Sequence, residues 1–326
     1  MVAATGRVSG NITNSYFNGG ALARFVNMNG GHLPVYGDYS TGGITEAMRL
    51  MFGANFDSNS SDDLMNSRLL VLWGHNPLET LMSGSSEAFY LQKIKRETNL
   101  PVVIVDPRST DSVQLLADMH IAPKPGTDAA LVAGLAHVLI TENLFDQAFL
   151  DKYCVGFDED HMPDGAPANA SYRSYIEGKG ADGVEKTPEW ASQVTGVPVD
   201  QIIRFARLLG TTKPVAIQQG LGPQRHANGE NQSGAVMTLN AMLGMVGLPG
   251  GGTGTYTGAS RLDMAKPFDS YTNSNTKAIS HFSWVNAIDH GTEMGPSEGM
   301  RDWDSDGNLI DDARLDVPIK AMWAYA

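Results

Sequence analysis

Leu69-Leu70-Val71-Leu72-Trp73 runs straight into Gly74-His75-Asn76-Pro77. Five apolar residues of strand length, with no polar alternation, describe a strand covered on both faces, as in a parallel sheet held between helices. Glu87 to Thr98 follows, with Phe89, Leu91 and Ile94 at helical spacing. Val102-Val103-Ile104-Val105 then repeats the buried-strand pattern and ends in Asp106-Pro107-Arg108. A short third strand is expected around Met119-His120-Ile121, and Pro125-Gly126-Thr127-Asp128 heads a strong helix from Ala129 to Thr141. This order implies an α/β fold with doubly wound, mostly parallel sheets and right-handed crossovers.

Upstream, residues 1–44 are rich in glycine and asparagine, among them Asn11, Asn14, Asn18, Asn27 and Asn29. Such residues supply turns and allow close approach to a ligand. One short helix is expected there, from Ala21 to Asn27. Gly37-Asp38-Tyr39-Ser40-Thr41-Gly42-Gly43 then precedes a helix beginning near Ile44. A hydroxyl at such a turn caps the helix or faces a ligand, and on chemistry alone the cap is favoured.

Downstream, residues 142–186 read as a helix hairpin followed by a polar excursion from Phe157 to Lys186. Thr187-Pro188-Glu189 opens a helix, with a hydroxyl cap and proline at the first helical position. Val199 to Leu209 is a further amphipathic helix. Pro214 to Gln218 returns to a strand ending in Gly220-Leu221-Gly222-Pro223-Gln224-Arg225, and Val236 to Val246 is a helix. Beyond Gly254, loops are expected until an apolar strand within Val317 to Ala326. A chain that opens on a strand end and closes inside an apolar strand suggests a fragment. The expected division is 1–44 as the first part of one α/β domain, 45–210 as a Rossmann-like domain, and 211–326 as a return into the first.

The 326 residues carry a net charge of −13 with no block of lysine or arginine, which argues against nucleic acid and anionic membrane surfaces as partners. Cys154 is the single cysteine, so this chain has no internal disulfide and no cysteine-ligated zinc or iron–sulfur site. In its apolar setting it reads as a small buried hydrophobe. No apolar run reaches the length of a membrane span.

In open α/β sheets, ligands bind outside the carboxyl ends of the strands. Here those ends deliver Gly74, His75 and Asn76, then Asp106 and Arg108, then Thr127 and Asp128 at a helix start. Glycine permits close backbone approach, helix N-termini favour phosphate, and an acid after the second strand suits a ribose hydroxyl or a purine N–H. The arrangement is nucleotide-shaped, although the Gly-x-Gly-x-x-Gly fingerprint is missing, which counts against an NAD-type dehydrogenase. The alternative is that Asp106 and Asp128 are turn and cap residues. Gly220 to Glu230 adds Gln224, Arg225 and His226 as donors, or else forms an ordinary loop with Arg225 in solvent. Asp302-Trp303-Asp304-Ser305-Asp306-Gly307 begins like a calcium loop, but Ala313 stands where the bidentate glutamate belongs, so a solvated acidic turn is the better reading.

Taken together, several stretches resemble the dimethyl sulfoxide reductase family of molybdenum enzymes, in particular its anaerobic, membrane-associated catalytic chains. They are Tyr36-Gly37-Asp38-Tyr39-Ser40-Thr41, Trp73 to Thr80, Val105 to Asp111, Pro125 to Leu131, Phe149 to Gly156, Thr187 to Ala191, Gly222 to Arg225 with Ala227 to Glu230, and Phe282-Ser283-Trp284 with Ala287 to Gly291. The resemblance covers nearly the whole chain in order. It implies oxygen-atom transfer in anaerobic respiration at a bis(molybdopterin guanine dinucleotide) centre, with molybdenum, or tungsten as the alternative metal. It makes Ser40 the metal ligand, reversing the preference for a cap, with Tyr39 beside it in the catalytic centre. It places Gly74, His75, Asn76, Asp106, Arg108, Thr110, Gly126 and Asp128 around a guanine dinucleotide: Asn76 near phosphate, Asp106 and Arg108 near ribose, Asp128 near guanine. Gly222, Gln224 and Arg225 would lie near a pterin.

The resemblance further implies an S-oxide or N-oxide acceptor, an iron–sulfur electron-transfer subunit and a membrane anchor subunit. It implies a site at the periplasmic face of the membrane, reached through a twin-arginine signal upstream. The family's amino-terminal domain with its 4Fe–4S cluster, and its carboxy-terminal barrel, have no counterpart in these residues. The reading from another class is a non-catalytic α/β nucleotide-binding module.

Overall fold

The computed structural model of the chain describes residues 2–4, 20–37, 40–53, 60, 62–80, 87–255 and 271–324. In chain order its elements are β1 (Val2–Ala4), α1 (Gly20–Met28), β2 (Val35–Tyr36), α2 (Gly42–Phe52), β3 (Leu69–Trp73), α3 (Pro77–Thr80), α4 (Glu87–Thr98), β4 (Val102–Val105), α5 (Asp111–Leu116), β5 (Met119–Ile121), α6 (Asp128–Thr141) and α7 (Gln147–Tyr153). They continue with α8 (Tyr172–Ile176), α9 (Pro188–Thr195), α10 (Val199–Thr211), β6 (Val215–Gln219), α11 (Gly229–Met242), β7 (Gly252–Thr255), β8 (Ala278–Ser280), α12 (Trp284–His290), β9 (Met300–Arg301) and β10 (Met322–Ala324). Two compact units result, Gly43–Ser260 and Met1–Gly42 with Arg261–Ala326.

The Gly43–Ser260 unit is built on a five-stranded sheet in the order β5-β4-β3-β6-β7, with every pair parallel. All five residues of β3 are buried, and their alternation feeds two cores. Leu69, Val71 and Trp73 join Val103, Val105, Val215 and Ile217 on one face, under α6, α10 and α11. Leu70 and Leu72 join Val102, Ile104 and Ala216 on the other, under Leu91 and Ile94 of α4 and Val113 and Leu116 of α5. A sheet with helices on both faces is the doubly wound architecture expected from the sequence.

α6 is apolar nearly all round, as a central helix must be. It approaches α9 so closely that a methyl group at Gly134 would lie 2.5 Å from Ala191 Cβ. α9 starts as anticipated, with Thr187 Oγ1 accepting from Trp190 N and proline in the first turn.

The other unit has a three-stranded sheet, β2-β8-β9, in which β2 and β8 are parallel and β8 and β9 antiparallel. β1 and β10 form a separate parallel pair. Its core gathers Leu33, Ile279, Ala287, Met294, Met300 and Ala313. Asn273 binds across to residue 32: His32 N donates to Asn273 Oδ1 (3.1 Å), and Asn273 Nδ2 donates to His32 O (2.9 Å).

Three readings of the sequence differ from what is found. The stretch after Gly254 is not loop alone, since β8, α12 and β9 lie in it. α11 begins at Gly229 rather than Val236, because Asn228 in a left-handed conformation (φ 56°) turns the chain directly into the helix. The return at residue 211 also differs. β6 pairs with β3 and β7 with β6, so the chain through Thr255 belongs with the central sheet.

Candidate functional site

The strand order reverses direction beside β3. The chain steps outward through β4 and β5, then comes back to the opposite side of β3 as β6. A crevice at such a switch point, outside the carboxyl ends of β3 and β6, is where open α/β sheets bind ligands. The two strand exits touch there through backbone alone. Gly220 N donates to Trp73 O (2.9 Å), Gly222 N to Gly74 O (3.2 Å), and Gly74 N to Val105 O (2.8 Å). A Cβ on Gly220 would sit 2.3 Å from Gly74 O, and one on Gly74, whose φ is +54°, 2.5 Å from Pro223 Cδ. Only glycine permits this crossing.

Beyond the crossing, each strand end presents polar groups. Asn76 is buried, and its Oδ1 accepts from Ser112 Oγ (2.6 Å). Among the described residues its Nδ2 has no partner within hydrogen-bond geometry, although the side chain lies close enough to Glu79 to help lower that carboxyl. His75 Nε2 donates to Glu87 Oε1 at 2.8 Å, with both side chains largely enclosed. At the end of β4, Asp106 Oδ1 accepts from Arg108 N (2.8 Å) and its carbonyl from His120 Nε2 (2.8 Å). The exposed Arg108 guanidinium reaches Glu79 Oε2 (3.2 Å), and Glu79 Oε1 accepts from Asp111 N (3.0 Å). That backbone donor, ahead of Arg108, holds the Glu79 carboxyl below its ordinary range. Thr110 caps α5, its Oγ1 accepting from Val113 N.

Asp128, the first residue of α6, is buried and takes the Trp73 indole N–H on Oδ1 at 2.7 Å. Burial pushes its carboxyl up, the Trp73 bond pulls it back, and of its charged neighbours His226 lowers it while Asp106 raises it. Gly126 (φ +76°) lies against His226, whose Cγ is 3.4 Å from where a Cβ would be. Gln232 of α11 supplies the helix start with its acceptor, Oε1 to Ala129 N at 2.8 Å.

The expected residues therefore fall into three groups. Gly74, His75, Asn76, Asp106, Arg108, Gly126, Asp128 and Gly222 gather at the carboxyl ends of the strands. Thr110 and Gln224 have structural work: Thr110 caps α5, and Gln224 Oε1 accepts from Ile44 N (2.9 Å) at the start of α2. Arg225 is exposed. Ser40 lies in an exposed turn directly before α2, and Tyr39 falls outside the described residues. Cys154 is half-buried with its thiol pushed up by burial, which disfavours the reactive thiolate.

Sequence reasoning missed Trp73, Glu87 and Gln218. Among the described residues, Gln218 is buried in β6 with both side-chain polar atoms unpartnered. The available signal was two glutamines closing an otherwise apolar strand.

This donor and acceptor set suits a phosphorylated nucleotide. The glycines let the exits of β3 and β6 cross at backbone contact, the Asn76 amide is a buried donor, and Asp128 is a buried acceptor fit for base N–H groups.

Comparison with known proteins gives the family. Residues 2–308 match the family model described as molybdopterin oxidoreductase. Dimethyl sulfoxide reductase DmsA of Escherichia coli K12 is 48% identical over 324 residues, covering 99% of this chain and 39% of the relative. The trimethylamine-N-oxide reductase of Vibrio parahaemolyticus is 36% identical over 260 residues, covering 76% of this chain and 30% of the relative. Acetylene hydratase from Pelobacter acetylenicus shares the fold, with a TM-score of 0.50 at 21% identity over 74% of this chain and 29% of that one. The chain thus spans about two fifths of the length of the DmsA relative. With this match running through both compact units, the chain belongs to the molybdopterin oxidoreductase family.

Proposed function

We propose that this chain is the cofactor-gripping part of a molybdenum-dependent oxidoreductase that reduces an S-oxide or N-oxide acceptor in anaerobic respiration, and that its cofactor is the guanine dinucleotide form of molybdopterin. The observation that carries the proposal is the glycine crossing at the switch point, flanked by the buried Asn76 amide and the buried Asp128 carboxylate. The relatives named for dimethyl sulfoxide and trimethylamine N-oxide support the acceptor class.

When bound, the molybdopterin supplies a metal that changes oxidation state by two electrons as oxygen is removed from the acceptor. The chain's own residues hold and orient. Gly74 and Gly222 let the diphosphate approach the backbone, and Asn76 Nδ2 donates to a phosphate oxygen. Asp106 accepts a ribose hydroxyl, with Arg108 beside it, and Asp128 accepts base N–H groups. His75, fixed by Glu87, borders the same crevice. Arg225 would meet the pterin side. Ser40 is the metal ligand of the proposal: an alkoxide oxygen is a hard donor suited to an oxidised metal, and an exposed turn can present it.

A 4Fe–4S cluster, an iron–sulfur subunit, a membrane anchor and a periplasmic location belong to the same proposal and rest on the family resemblance. No helix among the described residues is long and apolar enough to cross a membrane.

The test is metal and nucleotide analysis of the holoenzyme that contains this chain, wild type beside Ser40→Ala. Molybdenum with two guanine nucleotides per metal is expected, with acceptor reduction and the metal's paramagnetic signature changed in the variant. A folded protein carrying neither metal nor pterin would leave a nucleotide-binding module and end the redox reading.

A further inference from the structure

We propose that Trp73 is a positioning residue for purine selectivity: its indole N–H fixes the Asp128 carboxylate so that it accepts the paired N–H donors of guanine and rejects adenine. The inference rests on the reading above, in which Asp128 meets the base.

Trp73 closes β3 and is fully buried, with its ring 6.3 Å from that of Phe205. A leucine or phenylalanine would fill such a core position without a polar atom to satisfy. An indole brings a donor that must find a partner when buried, and the partner is Asp128 Oδ1 at 2.7 Å, across a separation of 55 residues. Besides the indole, the Asp128 carboxyl draws on its own backbone N–H. It is 8% exposed, and the remaining charged groups that act on it are His226, on the loop before α11, and Asp106, after β4, which oppose one another. The start of α6 is itself fixed, because Gln232 takes the Ala129 N–H. The carboxylate is therefore anchored at its backbone by the helix and at one oxygen by the indole.

A carboxylate has about four acceptor positions and, when ionised, no donor. Guanine offers two adjacent donors, N1–H and the 2-amino group. Hypoxanthine offers only N1–H, and adenine turns an acceptor toward the carboxylate. Against adenine, a buried carboxylate is left facing a lone pair, a mismatch that discriminates far more than a missing contact does. Discrimination of this kind requires that the carboxylate stay ionised and not rotate away, and the indole N–H favours both.

The experiment compares binding of GDP, IDP and ADP to the full chain by calorimetry between about pH 5.5 and 8, for wild type, Trp73→Phe and Asp128→Asn. Wild type should prefer GDP over IDP and IDP over ADP. Trp73→Phe should lose about tenfold in GDP affinity, as for a hydrogen bond to a charged group, with ADP binding unchanged. Without the indole donor the Asp128 carboxyl rises further, so the acid-side loss of GDP binding should move to higher pH. An unchanged GDP-to-ADP ratio and pH profile in Trp73→Phe would make Trp73 a packing residue and overturn the inference alone. A wild type that binds GDP no better than ADP would overturn the placement of the base at Asp128, and the inference with it. Should Trp73→Phe fail to fold, the wild-type indole resonance that moves in Asp128→Asn identifies Trp73. It must shift on adding GDP and stay still on adding ADP, and a resonance that ignores both sinks the proposal.

Discussion

A methyl group at Gly220 would lie 2.3 Å from the carbonyl oxygen of Gly74 and 2.6 Å from His75 Cα, all of it backbone. No rotamer change relieves such a clash. Gly220→Ala must push the exits of β3 and β6 apart, so it should cost about 3 kcal/mol in urea denaturation, the upper end of ordinary overpacking, and abolish nucleotide binding. Gly234, inside α11, is the contrast: a Cβ there meets Met51 and Ala47 at 3.9–4.0 Å, an ordinary contact. Gly234→Ala should stabilise by up to about 1 kcal/mol through helix propensity. If both variants shifted alike, the crossing would not be as tight as described.

The glycines at the strand exits were legible in the sequence because glycine after an apolar run has few other uses. The partners were not. Trp73 meets Asp128 across 55 residues, and Gln224, expected to face a cofactor, accepts from Ile44 N across 180. Nothing local in either stretch encodes such a contact.

At the scale of elements, the polar excursion after α7 is secured by one carboxylate. Glu159 accepts from Asn169 N (3.0 Å), Ser171 N (3.1 Å) and Ser174 Oγ (2.7 Å), tying a short turn to the start of α8. The Ser171 and Ser174 donors lead in lowering its pKa from 4.5 to about 2. The folded chain thus holds this proton less tightly than the unfolded one. Its contribution to stability is complete above about pH 4.5 and is lost as pH falls toward about 2. Denaturation midpoints at about pH 5 and pH 3 should show the gap between wild type and Glu159→Gln narrowing at the lower pH. A gap that stays constant would mean the carboxylate's charge contributes nothing there. The sequence revealed this region only as a polar excursion, since its order comes from side chain to backbone bonds rather than from any period. Where a period or a cap exists it was readable, as in β3, β4 and the Thr187-Pro188 start of α9. α11 was read seven residues short because Gly229, Asn231, Ser233 and Gly234 are weak helix formers, held helical by packing on α6 and β6.

For the whole molecule, the division of the chain was the least legible feature, since strand pairing is non-local. Nothing in Val215–Gln219 says that it pairs with β3 rather than with a strand of the other unit. The division that results has a physical consequence. Gly43–Ser260 is continuous and contains all five strands of the central sheet, both of its cores and the strand-end residues Gly74, His75, Asn76, Asp106, Arg108 and Asp128. The other unit is assembled from two stretches that must meet, Met1–Gly42 and Arg261–Ala326. Chains with a complete core and a short path between their contacts fold as units. Residues 43–260 expressed alone should therefore unfold in one cooperative urea transition and bind GDP within about threefold of the full chain, since sites with no shared partners behave additively. A broad, non-cooperative transition would show that the central sheet depends on residues outside 43–260. Cooperative folding with GDP binding lost would show that the nucleotide site draws on the other unit as well.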